Sequence, residues 1–189
     1  MIGICICWVA ILKANIVHNG VTYEVKIDRE AEHPLQVWDR KSKVDESLRR
    51  AYHPWALQVV DVDGDDVEEI AVGLTKATKR LAKPHRTLFI MRFDGHQIVR
   101  KWAGSTMGRP LIEFCFSPKQ AQKPQLLFTL ERKPDGDIAL SGHRWTGFGF
   151  QKVGRERHWK HASGLNTSRN HLSLIADNRD ITFDWKELL

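Results

Sequence analysis

The sequence predicts an all-β fold: a propeller-like array of about four imperfect antiparallel blades, as a complete or an incomplete ring. Three observations predict it. The apolar segments are short and separated by turn signals, several of them are apolar on both faces, and tryptophans recur near strand ends. A β-sandwich is the alternative, because a chain with few helices must cover its sheets with other sheets.

Twelve segments have the length and composition of strands, and turn dipeptides such as Asn19-Gly20 and Asp94-Gly95 lie between them. Two short helices are also predicted, because one segment has acidic residues in its first turn and the other ends at Pro84. The predicted helices span 45–51 and 76–83. The predicted strands span 4–12, 22–27, 36–38, 57–60, 69–74, 87–93, 98–102, 111–116, 125–130, 138–141, 171–175 and 181–185.

A weak internal repeat favours the propeller over the sandwich. Strand-end tryptophans are separated by 64, 43 and 40 residues, and they are Trp38, Trp102, Trp145 and Trp185. Propeller blades typically repeat every ~40–45 residues. The 189 residues therefore predict one domain of about four blades, the lower limit of the usual range.

Composition is that of a globular domain, with 42% hydrophobic and 28% charged residues. The net charge of +6 is unevenly divided: residues 1–75 hold 8 basic and 13 acidic side chains, and residues 76–189 hold 21 and 10. Cys5, Cys7 and Cys115 all lie in apolar runs and are predicted to be buried thiols without disulfides.

The most apolar stretch, residues 2–12, is shorter than the ~20 residues of a membrane-spanning helix, so no transmembrane span is predicted. No basic residue precedes it, unlike an ordinary secretory signal. A first core strand is the favoured interpretation, and an unusual export signal is the alternative.

One acidic loop, DVDGDDVEEIAVG, carries the pattern of a metal site. Asp61, Asp63 and Asp65 take loop positions 1, 3 and 5, and Glu69 takes position 9. The carbonyl of Val67 at position 7 offers a further oxygen. Hard oxygen ligands, several of them carboxylates, suit Ca²⁺ better than zinc or copper. An acidic solvated hairpin is the alternative.

An EF-hand is not indicated. Its loop has glycine at position 6, a bidentate glutamate at position 12 and helices on both sides. Here Asp66 and Val72 stand at those positions, and a strand follows the loop.

The loop and its neighbouring strands resemble the FG-GAP and VCBS-type repeat, the blade of integrin-like propellers and of many bacterial surface proteins. Its signature, D-x-D-G-D-G-x-x-[DE]-[IL]-x-V-G, is similar to residues 61–73. The resemblance is firm over 53–116 and looser to 150, through the segments 87–95, 102, 109–112 and 145–150.

The resemblance implies a calcium-loop blade at about 53–104 within a single domain of 1–189, and an extracytoplasmic or cell-surface location. It makes Asp61, Asp63, Asp65 and Glu69 the calcium ligands, with Val67 through its carbonyl. Two departures stand out. Asp66 replaces a glycine, which is tolerable because aspartate visits left-handed conformations more readily than most residues. The matching loop of the next blade, 117–124, is basic and has no carboxylate, so one structural ion is expected.

No nucleophile, phosphate-loop or zinc-protease motif is present, and His158-x-x-His161 alone is a weak metal signal. The predicted function is therefore non-catalytic, a calcium-binding repeat domain that binds or scaffolds proteins or polysaccharides. A calcium-supported carbohydrate-active enzyme is one alternative. Another is a binder of anionic polymers through the basic half, with nucleic acid the less favoured ligand; the candidate residues are Arg144, Arg155, Arg157 and Lys160.

Overall fold

The computed structural model describes residues 12–78, 81–104, 108–169 and 171–188. Within them lie fifteen strands and two 3₁₀ turns, Arg50–Tyr52 and Trp185–Leu188. The strands form four small antiparallel sheets arranged as a four-blade β-propeller, which confirms the predicted fold class. No helix among the described residues is long and apolar enough to cross a membrane.

Each blade is a meander in which consecutive strands pair. Blade 1 consists of β1 Leu12–His18, β2 Val21–Ile27, β3 Leu35–Trp38 and β4 Lys43–Ser47. Blade 2 consists of β5 Ala56–Val60, β6 Glu69–Lys76, β7 His85–Phe93 and β8 Ile98–Trp102. Blade 3 consists of β9 Leu111–Phe116, β10 Leu127–Arg132, β11 Ile138–Trp145 and β12 Phe150–Trp159. Blade 4 has three described strands, β13 Ala162–Ser168, β14 His171–Ala176 and β15 Arg179–Asp184.

The hydrophobic core lies between successive blades, which explains the strands that are apolar on both faces. In β7, Phe89 and Phe93 face blade 1, and the alternate residues Leu88 and Ile90 face blade 3. In β10, Phe128 faces blade 4. Burying each such side chain contributes about 1.5–3 kcal/mol. Three core clusters of described residues fill the interfaces of blades 1 and 2, 2 and 3, and 3 and 4.

The helix predicted at 45–51 is wrong. Its first residues belong to β4, which pairs with β3, and a 3₁₀ turn follows at Arg50–Tyr52. The Asp45 carboxylate accepts the Ile98 N–H of blade 2 at 2.5 Å and so does not cap a helix. Tertiary pairing has overridden a weak local signal.

The helix predicted at 76–83 is also wrong for the described residues of that segment. Lys76 is the last residue of β6, and the described residues after it are not helical. The Lys76 ammonium lies over the rings of Tyr52 and Phe89, 4.9 and 5.0 Å from their centroids. The Lys76 side chain therefore packs on aromatic rings at the blade surface, and Lys76 does not begin a helix.

The recurrent tryptophans are not all equivalent. Trp38 and Trp145 end the third strands of their blades, and Trp185 directly follows a third strand. Trp102 ends a fourth strand, so the separations of 64 and 43 residues on its two sides both compare different blade positions. The strand predicted at 4–12 lies outside the described residues except for Leu12, which begins β1.

Candidate metal centre

The loop between β5 and β6 gathers three of the predicted ligands. One carboxylate oxygen from each of Asp61, Asp63 and Asp65 lies within 4.8 Å of the others. Asp61 is buried, Asp63 is partly buried and Asp65 is exposed, so the cluster runs from the blade interior to the surface. The spacing of alternate acidic residues thus produces the convergence that it predicts.

Backbone hydrogen bonds to the Asp61 carboxylate fold the loop. Its Oδ1 accepts the Gly64 N–H at 2.7 Å, and its Oδ2 accepts the Asp66 N–H at 3.0 Å. Gly64 and Asp66 have φ angles of +76° and +63°. Asp66 therefore adopts the left-handed conformation that the repeat signature reserves for glycine. Further along, Asp65 Oδ1 accepts the Val67 N–H at 2.9 Å.

The following blade holds the loop in place. Gln125, at the end of the loop before β10, donates its N–H to the Asp61 carbonyl at 2.9 Å, and its Oε1 accepts the Asp61 N–H at 2.6 Å. Gly64 packs so closely on this segment that an added Cβ would lie 2.6 Å from the Pro124 nitrogen. The acidic loop is thus part of the interface between blades 2 and 3.

Glu69, the fourth predicted carboxylate ligand, is engaged by a lysine instead of joining the aspartate cluster. Its side chain is 1% exposed, its Oε1 accepts a hydrogen bond from Lys101, and its Oε2 accepts the Val62 N–H at 3.1 Å. Burial raises the pKa of Glu69 above its usual value, against the opposing hydrogen bonds from Lys101 and Val62.

Lys101, on β8, links Glu69 to the aspartate cluster. Its ammonium lies 2.6 Å from Asp63 Oδ2, and it sits 5.7 Å from the ring centroid of Trp145 in blade 3. Burial lowers the pKa of Lys101, but the hydrogen bonds to Asp63 and Glu69 more than reverse this, and the pKa lies above its usual value. Lys101 therefore neutralises Glu69 and one oxygen of Asp63.

The charges that remain fit a hard cation. Asp63 Oδ1 is buried and has no hydrogen-bond partner among the described residues, and it belongs to a residue of the aspartate cluster. Lys119 approaches from blade 3, but its ammonium is 3.9 Å from Asp61 Oδ2 and 4.0 Å from Asp66 Oδ1. Clustered carboxylates with an unsatisfied oxygen are the donor set that Ca²⁺ or Mg²⁺ takes.

Comparison of the chain with protein-family models, with curated proteins and with solved structures finds no match.

The basic residues predicted to bind an anionic polymer do not form one free surface. Arg157 donates to Glu187 at 2.8 Å and lies 4.1 Å from the Phe183 ring centroid. Lys160 donates to Asp137 at 2.8 Å. Arg144 and Arg155 make no ion pair among the described residues. Two of the four cations are thus already neutralised.

A second polar cluster lies inside blade 3 and contains two carboxylates. Arg109 approaches Glu131 at 3.7 Å and donates to Glu156 at 2.7 Å. His143 directs the same nitrogen, Nε2, at Thr129 Oγ1 and at Glu131 Oε1, at 3.0 and 3.3 Å. A hydroxyl–histidine–carboxylate relay needs both ring nitrogens. Because Glu131 and His143 are also buried, we interpret the cluster as structural.

Glu156 gives this cluster a distinct pH dependence. Burial raises the pKa of Glu156, but hydrogen bonds from Lys152, Ser141 and Arg109 outweigh it and hold the pKa at about 2. A carboxyl with a lowered folded-state pKa stabilises the fold above its unfolded-state pKa and loses that contribution as the pH falls through its folded-state pKa. We expect Glu156→Gln to lower the free energy of unfolding by about 2 kcal/mol at pH 7.

The measurement is urea unfolding from pH 7 down to pH 2, by which point most of the difference from wild type should be lost. Glu187→Gln is the matched control, because it breaks an exposed ion pair with Arg157 and should cost less than about 1 kcal/mol. A loss in the free energy of unfolding of Glu156→Gln that stays constant with pH would contradict the lowered pKa of Glu156.

The single described free cysteine matches its prediction. Cys115 is buried, and burial raises the pKa of its thiol to about 12. Such a thiol is protonated and unreactive at neutral pH. Cys5 and Cys7 lie outside the described residues.

Proposed function

We propose that this chain is a non-catalytic binding or scaffolding domain whose propeller is stabilised by one divalent cation. The favoured ion is Ca²⁺, and its ligands are Asp61, Asp63 and Asp65. The observation that carries the proposal is the convergence of three carboxylates with a buried, unpartnered oxygen on Asp63. Lys101 is shared with Glu69 and Lys119 lies 3.9 Å away, so the cluster remains costly without a cation, because like charges repel and a buried polar atom lacks its hydrogen bond.

Each ligand has a defined role in this proposal. Asp61 is held rigidly by the backbone of its own loop, so it offers a preorganised carboxylate. Asp63 is shared: Lys101 contacts Oδ2, and Oδ1 is left for the cation. Asp65, at the surface, completes the cluster on the solvent side. The bound cation supplies two positive charges and a cross-link between these side chains.

The cation would act at a blade boundary. The Asp61 backbone is hydrogen-bonded in both directions to Gln125, so fixing the acidic loop also fixes the loop before β10. This supports a structural role. The alternative of a carbohydrate-active enzyme is less well supported, because the two carboxylates of the polar cluster in blade 3, Glu131 and Glu156, are bridged by Arg109 and largely enclosed.

Thermal unfolding during a Ca²⁺ titration tests the proposal. Binding to the folded state alone stabilises it by about 2.7 kcal/mol when free Ca²⁺ reaches 100 times its Kd. For a chain of this size that corresponds to a rise of the midpoint by roughly 5–10 °C. We expect this rise in the wild type, its reversal by chelation, and its loss in Asp63→Ala.

Asp180→Ala is the matched control, because Asp180 is an exposed strand residue whose side chain makes no hydrogen bond or ion pair in the described chain. It should retain the full Ca²⁺-dependent rise. A wild-type midpoint that does not respond to Ca²⁺, or an equal response in Asp63→Ala, would overturn the proposal.

A further inference from the structure

A groove between blades 3 and 4 has the features of a ligand site. Its volume is about 540 Å³, within the range of small-molecule sites. One side is the loop between β9 and β10, and the other is Arg144 on β11 with the 3₁₀ turn that ends blade 4. Its polar lining residues are Ser117, Gln120, Lys123, Arg144 and Lys186.

The charges around the groove have a single sign. Lys123, Arg144 and Lys186 are exposed, and no acidic side chain is among the described lining residues. None of the three makes an ion pair in the described chain. Several other cations of the same half do, including Arg109 and Lys160. Three unneutralised cations around one concavity focus a positive potential that attracts anions.

The groove is also preorganised. Ser117 and Leu126 close its loop, because the Ser117 N–H donates to the Leu126 carbonyl at 2.8 Å and the Leu126 N–H donates to Ser117 Oγ at 2.9 Å. Trp185 forms an apolar wall, and its Nε1 donates to the Arg169 carbonyl at 3.2 Å. A rigid site loses little entropy when it orders a ligand.

The surroundings indicate a compact ligand and not a long polymer. A polymer-binding surface needs a continuous track of free cations. Arg157, whose strand partner Leu140 is four positions from Arg144, is neutralised by Glu187, which is also the neighbour of Lys186 in sequence. Lys160 is neutralised by Asp137. Two cations near the groove are thus paired with carboxylates, whereas three cations without an ion pair in the described chain lie together on the groove.

We infer that this groove binds a small, multiply charged oxyanion, a phosphate or sulfate ester whose apolar body packs against Trp185. The inference does not depend on the cation site of blade 2. Arginine recognises such groups through paired, charge-assisted hydrogen bonds, and lysine acts as a point charge. Arg144 would then position the oxyanion, and Lys123 and Lys186 would supply further positive charge.

Isothermal titration of the full chain with inorganic pyrophosphate tests the site, and Arg144→Gln should weaken binding by about tenfold or more. Arg155→Gln is the matched control. Arg155 is also an exposed arginine without an ion pair, but it does not line the groove. Its replacement should leave the affinity within about twofold.

Adenosine diphosphate and a sulfated disaccharide then separate the two sources of the oxyanion, since the ester that binds more tightly than pyrophosphate identifies the class. Three results would overturn the inference: no heat with any of these probes, equal weakening by Arg144→Gln and Arg155→Gln, or binding only to heparin chains with affinity that grows with chain length. The second result would indicate a diffuse surface field, and the third a polymer track.

Discussion

Lys101→Met is expected to lower the free energy of unfolding by about 3–5 kcal/mol at pH 7, because removing one partner of a buried ion pair leaves the other charge uncompensated. Glu69 is 1% exposed, and among the described residues the Val62 N–H is the one hydrogen-bond donor it keeps once the ammonium is gone. Asp63 loses its contact with the ammonium as well. The measurement is chemical denaturation at pH 7.

The deficit should shrink as the solution is acidified. Burial already raises the pKa of Glu69, and losing Lys101 removes an interaction that lowers it. A carboxyl with a raised folded-state pKa binds its proton more tightly when folded. Lowering the pH through that pKa therefore stabilises the folded state relative to the unfolded state, and does so more strongly in Lys101→Met than in the wild type.

Lys119→Met is the control for this substitution. Lys119 faces the same acidic loop, but it is 41% exposed and its ammonium lies 3.9 Å from Asp61 Oδ2. Its loss should cost less than about 1 kcal/mol, as for other exposed ion pairs. Equal losses in the two variants, or a deficit in Lys101→Met that does not change with pH, would contradict the role given to Lys101.

Gly64→Ala is expected to destabilise the protein by about 3 kcal/mol, from two sources. The φ angle of +76° costs an alanine about 1–2 kcal/mol. The new Cβ would also lie 2.6 Å from the Pro124 nitrogen and 2.7 Å from the Lys123 carbonyl carbon, so the two loops must separate. Overpacking of this kind costs about 1–3 kcal/mol.

Gly136→Ala separates these two sources. Gly136 also has a positive φ, +91°, but a Cβ there meets nothing within 4 Å. This variant should therefore show the backbone strain alone, about 1–2 kcal/mol. Urea denaturation of both variants checks the difference. Equal destabilisation of the two variants would mean that the acidic loop does not pack tightly against the loop before β10.

Much of the fold could be predicted from the sequence because strands that are apolar on both faces need cover on both sides. The observed β7 and β10 meet that need by lying between two blades. Strand β12 is not predicted, because its sequence is mostly polar and only its first residue is buried. Strand β4 was mistaken for a helix, because the partner of Asp45 lies 53 residues away.

In the candidate site, too, local features could be predicted from the sequence and contacts between distant residues could not. The convergence of Asp61, Asp63 and Asp65 follows from local spacing, and the sequence therefore predicts it. Lys101 and Gln125 could not be found in that way, because they are 32 residues from Glu69 and 64 residues from Asp61. The meander of blade 2 brings Lys101 on β8 to Glu69 on β6. The stacking of blade 3 on blade 2 brings Gln125 to Asp61.

The most direct test of a cation at Asp61, Asp63 and Asp65 is a crystal structure of the protein grown with Ca²⁺, with anomalous scattering used to identify the ion. We expect one peak with oxygen distances of about 2.3–2.6 Å to the three aspartates. Lys101 should remain on Glu69. A map with no ion among these carboxylates at millimolar Ca²⁺, and with Lys101 as their nearest positive charge, would contradict it.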